Sequence, residues 1–230
     1  MAEKYLGWET VPMIRVLVFC EGQTEETFVG DVLSEHFHRL DIWLTPIVLR
    51  TSKQGKGGVV SYHKIKWQIE TKCKEDRTAW VTTLLDFYAL PSDFPGMSSS
   101  IGASSIEQAK AVEQAFQKDI AQPNFIANLV IHEFEGLLFS DPNAFTNWFS
   151  SPDLTSKLLD IRNSFNSPEH INDGQATAPS KRILKICSNY EKVLHGSLIA
   201  LDIGLDTIRR ECMYFNDWVE RIEALSKTSV

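Results

Sequence analysis

Along the first two thirds of the chain the apolar positions alternate between two periods. Residues 14–20, IRVLVFC, form a short continuous apolar run rich in branched side chains, the pattern of a strand covered on both faces. From Thr24 the period changes: Phe28, Val29, Val32, Leu33, His36 and Phe37 fall at helical spacing, with Thr24 placed as an N-cap. A second strand is predicted over 42–50, IWLTPIVLR, where Pro46 indicates an edge or a bulge. The glycine-rich KQGKGG then leads into a helix over 59–74. AWVTTLLDFYAL, 79–90, is a third strand that stops near Asp86, and the loop PSDFPGMSSSIGAS separates it from a helix over 105–121. FIANLVIHEFEGLLFSDP, 125–142, reads as a fourth strand running into acids, with a short helix at 133–139.

Beyond residue 143 the pattern is helical, with helices expected at 143–150, 153–165, 179–194, 197–202, 204–210 and 214–226 and a loop at 166–178. Strands that alternate with helices require right-handed crossovers, so the expected fold is α/β: a mostly parallel four-stranded central sheet flanked by helices. The expected division is an α/β core over 12–142 and a helical C-terminal extension over 143–230. The amphipathic DWVERIEAL suits core packing or a partner, core packing being favoured. Sites in such sheets gather at the carboxyl ends of the strands.

That rule makes the acids informative. Glu21 follows the first strand, Asp86 ends the third, and Glu133 and Glu135 follow the fourth, so all are placed at one edge of the sheet. Carboxylates gathered there repel unless a cation joins them or protons are taken up, and hard oxygen ligands favour magnesium or manganese. Taken singly, an acid at a strand end is more often a cap or a solvated loop residue; convergence is what raises the odds. Glu25 and Glu26, in the first helical turn, also suit the positive end of a helix dipole. Glu133 is preferred over Glu135 because it lies nearer the strand end, and only one of two residues two apart faces inward in an extended segment. His132 reads first as a satisfied buried histidine and second as a base that tunes the site.

The 230 residues are 43% hydrophobic and 23% charged, which suits a compact globular chain. No apolar run approaches the roughly 20 residues of a membrane span and no signal-peptide layout opens the chain, so the expected location is cytoplasmic. The four cysteines lack CxxC spacing, against a zinc knuckle or a disulfide framework. A net charge of -7 speaks against a general nucleic-acid binder but not against a nuclease, whose carboxylates are offset by the ion they hold. Charge is unevenly spread: Arg50, Lys53, Lys56, Lys64 and Lys66 open a basic stretch that reads either as a phosphate-facing surface or as a solvated helix face.

The blocks VFCEGQTEETFV, TTLLDFYALPSDFPG, IHEFEGLLFSDP, APSKRI and IGLDTIRRECMYFNDWVERIE, spread in order over residues 14 to about 224, resemble the bacterial family catalogued as domain of unknown function 4276. That family is related to the TOPRIM fold of topoisomerases, primases and overcoming-lysogenization-defect nucleases. The resemblance implies a TOPRIM-like core, in which Glu21 takes the acid or base role after the first strand and Asp86 the first acid of a magnesium-binding Asp-x-Asp pair. Tyr88 stands where the second acid belongs, and Glu25, Glu133 or Glu135 would supply the missing oxygen.

The leading expectation is therefore metal-dependent phosphodiester cleavage of DNA or RNA, tRNA included. Mg2+ or Mn2+ would be held by Glu21, Asp86, Glu133 and Glu135, with Glu25 assisting and Lys181 of PSKR stabilising negative charge; Lys181 has an equal structural reading at a helix start. The resemblance also suggests an effector of bacterial anti-phage defence beside an ATPase of the AAA or ABC type, and a homodimer is a further expected assembly. The chain has no GxxxxGK[ST] loop, so ATP dependence would come from that partner. The competing expectation is a non-catalytic subunit that docks the ATPase or senses a phage component, with Tyr88 recording lost chemistry. A third is phosphoryl or nucleotidyl transfer to a small molecule, which a narrow pocket would favour.

Overall fold

In the computed structural model, the described residues are 13–50, 61–97, 104–151, 153–171 and 177–227. The strands β1 (Ile14–Cys20), β2 (Ile42–Val48) and β3 (Trp80–Asp86) pair in parallel in the order β2-β1-β3. Beyond β3 lie two short strands, β4 (Phe125–Ile126) and β5 (Leu129–Val130), both parallel to it. The expected fourth strand is thus broken in two. Between the halves the Thr83 hydroxyl accepts the Asn128 N–H at 3.1 Å and donates to the Asn128 carbonyl at 2.5 Å, while Asn128 Nδ2 donates to the Thr83 carbonyl at 3.0 Å. Side chains replace the backbone ladder there, and every described strand pairing remains parallel.

Register brings the carboxyl ends together. Cys20 lies opposite Val48 on one side and Leu84 on the other, and Asp86 lies opposite Val130. Alternation along the strands sends Val16, Val18, Cys20 and Leu84 into one apolar layer and Phe19, Val81 and Leu85 into another. The second layer is covered by α3 (Tyr62–Glu75) and α4 (Ser105–Ile120), which bury Ile65, Ile69, Val112 and Phe116.

The first layer is covered from both ends of the sequence. α1 (Gln23–Phe28) passes through a π turn at Val29–Leu33 into α2 (Ser34–His38), and the Ser34 hydroxyl donates to the carbonyl of Val29, five residues back, at 2.8 Å. The cap of α1 is Gly22 in an extended conformation, not Thr24, which is buried inside the first turn. Then come α5 (Leu154–Asn163), α6 (Pro179–Ile186), α7 (Lys192–Ile203), α8 (Leu205–Glu211) and α9 (Met213–Glu223). Ile183, Ile199, Ile208 and Trp218 share one apolar cluster with Val16 and Val18, so packing runs continuously across the 142/143 position. Trp218 is fully buried, and its Nε1–H donates to the Thr82 hydroxyl at 3.0 Å, which ties α9 to the middle of the sheet.

The expected helix over 179–194 is two helices. The chain turns out at Cys187 (φ -126, ψ 88) and re-enters a helix at Lys192, whereas the division expected around His195 and Gly196 falls inside α7. Close packing explains Gly196: a Cβ there would meet Thr24 Cγ2 at 3.0 Å and Tyr190 Oη at 3.2 Å, so its absence lets α7 lie directly on α1. Among the described residues no helix is long and apolar enough to cross a membrane. All four cysteines are buried and unpaired.

Candidate functional site

Four side chains from four elements meet at the carboxyl edge of the sheet: Glu25 from the first turn of α1, Asp86 from the end of β3, Glu135 from a 3-10 turn at Phe134–Ser140, and Lys192 from the first residue of α7. The Lys192 ammonium lies 3.3 Å from Asp86 Oδ2, 3.4 Å from Glu135 Oε2 and 3.5 Å from Glu25 Oε1. The three acids are almost wholly buried, while the Lys192 side chain keeps 39% of its surface in solvent.

Each acid spends one oxygen on the fold and turns the other inward. Glu25 Oε2 accepts the Gly22 N–H at 3.0 Å, which closes the first turn of α1. Asp86 Oδ1 accepts the Phe134 N–H at 2.9 Å, which fixes the start of the 3-10 turn. The Tyr190 hydroxyl, at 3.5 Å, faces Glu135 Oε1. The remaining oxygens converge on Lys192, and two of them, Glu25 Oε1 and Glu135 Oε2, are buried and accept no hydrogen bond.

One ammonium cannot neutralise this set. Burial pushes the Asp86 carboxyl well above the usual range; Lys192 pulls it back, and the Glu21, Glu25 and Glu135 charges push it further up. Glu135 is raised for the same first reason, again opposed by Lys192. For Lys192, burial acts downward, but the Asp86, Glu135, Glu25 and Glu21 carboxylates together outweigh it and hold the ammonium protonated. Glu21 is raised by partial desolvation and then by the Glu25 charge, with Lys192 opposing; since the residue is also exposed, solvent screening limits the rise.

The other predicted site residues are placed as follows. Glu133 is extended, and its Oε2 accepts the Ser180 N–H at 3.0 Å, so it caps α6 and takes no part in the cluster; the geometry favours Glu135 over Glu133. Lys181 is exposed in the first turn of α6, outside the carboxylate set. The Tyr88 ring lies 4.9 Å from that of His132. His132 is buried at φ +66, and burial pushes its pKa down to about 4, so at neutral pH it is uncharged. Of the basic stretch, Arg50 and Lys64 are exposed, Lys66 pairs with Asp119 at 2.8 Å, and Lys53 and Lys56 lie outside the described residues. Lys192 is the site residue that reading the sequence missed.

The donor set suits magnesium or manganese in chemistry: hard oxygens from separate elements, two of them unsatisfied, and an excess of negative charge. Their spacing suits the ammonium. Separations of 3.3–3.5 Å from Lys192 exceed the roughly 2.0–2.1 Å of a magnesium–oxygen bond, and among the described residues no three His, Cys, Asp or Glu side chains are gathered closely enough for an ion. Ion binding would require the carboxylates to draw in. A cleft of 440 Å³ lies elsewhere, between α2 and α8, lined by Glu35, His36, Arg39 and Asp206, and the carboxylates take no part in it.

Comparison with curated proteins found no sequence match. Among solved structures, the C-terminal region of the OLD protein of Xanthomonas campestris pv. campestris aligns over 94% of this chain and 97% of its own in two forms. The form phased with mercury gives a TM-score of 0.43 at 15% identity, and the form phased with iodine 0.44 at 12%. The family model described as "Domain of unknown function (DUF4276)" matches residues 20–223, and the chain belongs to that family.

Proposed function

We propose that this protein is a metal-dependent nuclease that hydrolyses phosphodiester bonds in DNA or RNA. The observation that carries this reading is the convergence of Glu25, Asp86 and Glu135 on one cationic position with two buried oxygens left without hydrogen bonds. A polar atom buried in that state costs free energy that a divalent ion would offset. Bound magnesium or manganese supplies Lewis-acid polarisation of a phosphate and a more acidic water. Glu25, Asp86 and Glu135 would hold the ion. Glu21, exposed at the rim of the cluster, would be the group that takes a proton from the attacking water. Lys192, and Lys181 from the exposed turn of α6, are the cations available to offset charge on the phosphate.

The resemblance to TOPRIM nucleases extends the proposal to an effector in anti-phage defence that works with an ATPase encoded beside it. The test is incubation with plasmid DNA and with total tRNA in Mg2+ or Mn2+, with and without that ATPase, beside Asp86→Asn and Glu135→Gln controls. Cleavage that depends on both acids supports the reading, and cleavage that survives both substitutions sinks it. A second reading, a non-catalytic docking subunit, draws on one feature: Lys192 already fills the space among the acids. Absence of Mn2+ binding together with retained ATPase binding would favour it.

A further inference from the structure

The ammonium of Lys192 sits where the three inward oxygens point, at nearly equal distances from all of them. We propose that Lys192 is a tethered counter-ion that holds the metal position in the ion-free protein and swings out when a divalent cation binds. The inference rests on the metal-centre reading above and concerns how that centre is loaded.

Three features support it. First, the contacts are those of a place-holder: each acid meets Gly22, Phe134 or Tyr190 through its other oxygen, so the inward oxygens are held near one another by groups other than the lysine and need only draw in around an ion. Second, the ammonium and an ion would compete for the same three oxygens, Glu25 Oε1, Asp86 Oδ2 and Glu135 Oε2, and like charges crowded against one buried set of acids repel strongly. Third, the lysine has a way out. It is the first residue of α7, its side chain is already 39% exposed, and its four-carbon stem can rotate into solvent while the helix stays docked through Gly196.

The consequence is competition. Part of the affinity of the acids for a divalent ion is spent on expelling Lys192, so the resting protein is held together at its acidic edge without metal and binds metal more weakly than the bare acids would.

The test is Mn2+ titration of the full chain, read by the electron paramagnetic resonance signal of free Mn2+, for wild type, Lys192→Met and Asp86→Asn. Lys192→Met is expected to bind Mn2+ roughly tenfold or more tightly than wild type, because a like charge has been removed from the site. Equal or weaker binding overturns the counter-ion role while leaving the metal centre standing. Loss of binding in all three proteins, wild type included, overturns the metal centre itself and this inference with it. A second measurement uses unsubstituted protein and does not depend on the variant folding: amine-directed labelling followed by mass spectrometry, with and without Mg2+. Lys192 is expected to become more reactive when Mg2+ is added, and unchanged reactivity at a saturating ion concentration overturns the displacement.

Discussion

Gly196 lies so close to Thr24 that a Cβ on the glycine would sit 3.0 Å from the threonine Cγ2. Tyr190 Oη and Phe134 Cε1 close the same space at 3.2 and 3.3 Å. This contact sets the height of α7 over α1 and thereby the reach of Lys192 toward the acids.

Gly196→Ala should therefore destabilise the protein despite being a favourable change for a helix. The propensity gain is about 1 kcal/mol and overpacking costs about 1–3 kcal/mol, so crowding from three sides outweighs it and a net loss of up to about 2 kcal/mol is expected. Urea unfolding measures it. A neutral or stabilising result would show that α7 shifts freely over α1.

Glu133 and Glu135 are two residues apart and should behave differently. Glu133→Ala removes the acceptor of the Ser180 N–H and should cost about 1 kcal/mol as a lost helix cap, with Mn2+ affinity unchanged. Glu135→Gln should abolish tight Mn2+ binding. Isothermal titration of the two variants side by side distinguishes them, and loss of binding in the Glu133 variant would return that residue to the site.

His132 gives a pH dependence with a definite sign. Burial depresses its pKa to about 4 in the folded protein, so the stability it contributes is present above the unfolded value near 6.5 and is lost as pH falls toward 4. The loss attributable to this residue is about 3 kcal/mol. His132→Asn keeps a side chain that tolerates φ +66 and should remove that part of the acid sensitivity. Chemical denaturation at pH 7 and pH 4.5 tests it: equal pH slopes for the two proteins would contradict the prediction.

If the basic stretch faces nucleic acid, its lysines are not equivalent. Lys66 is already joined to Asp119 at 2.8 Å, whereas Lys64 is exposed. Lys64→Ala should lower the slope of log affinity against log salt by about 1, and Lys66→Ala should leave it unchanged. Fluorescence anisotropy with a labelled oligonucleotide over a salt series reads both slopes.

Much of the framework was legible because period and composition agree where the sheet is buried. The run from Ile14 to Cys20 and the stop at Asp86 could be read directly, as could the placement of Glu21, Asp86 and the 133–135 acids at one edge. Local pattern misleads where tertiary contacts override it. Asn128 looks like an ordinary strand residue until Thr83 takes over its backbone bonds. Gly196 looks like a helix breaker until Thr24 is seen beneath it. A lysine in the last turn of an expected helix over 179–194 carries no signal, whereas Lys192 opens a new helix after Cys-Ser-Asn-Tyr-Glu, a position that does. Glu133 is favoured by pattern because it lies nearer the end of the expected strand, whereas the oxygen that faces Lys192 belongs to Glu135, on the 3-10 turn that begins at Phe134.

The turn at Cys187 has one more consequence, for synthesis. A ribosome delivers Glu25, Asp86 and Glu135 long before Lys192, so the nascent sheet emerges with three acids that must stay hydrated or protonated. Only after α7 has left the exit tunnel and docked can those acids be enclosed. The edge of the sheet where chemistry is proposed is thus completed late, by a residue from the last quarter of the chain.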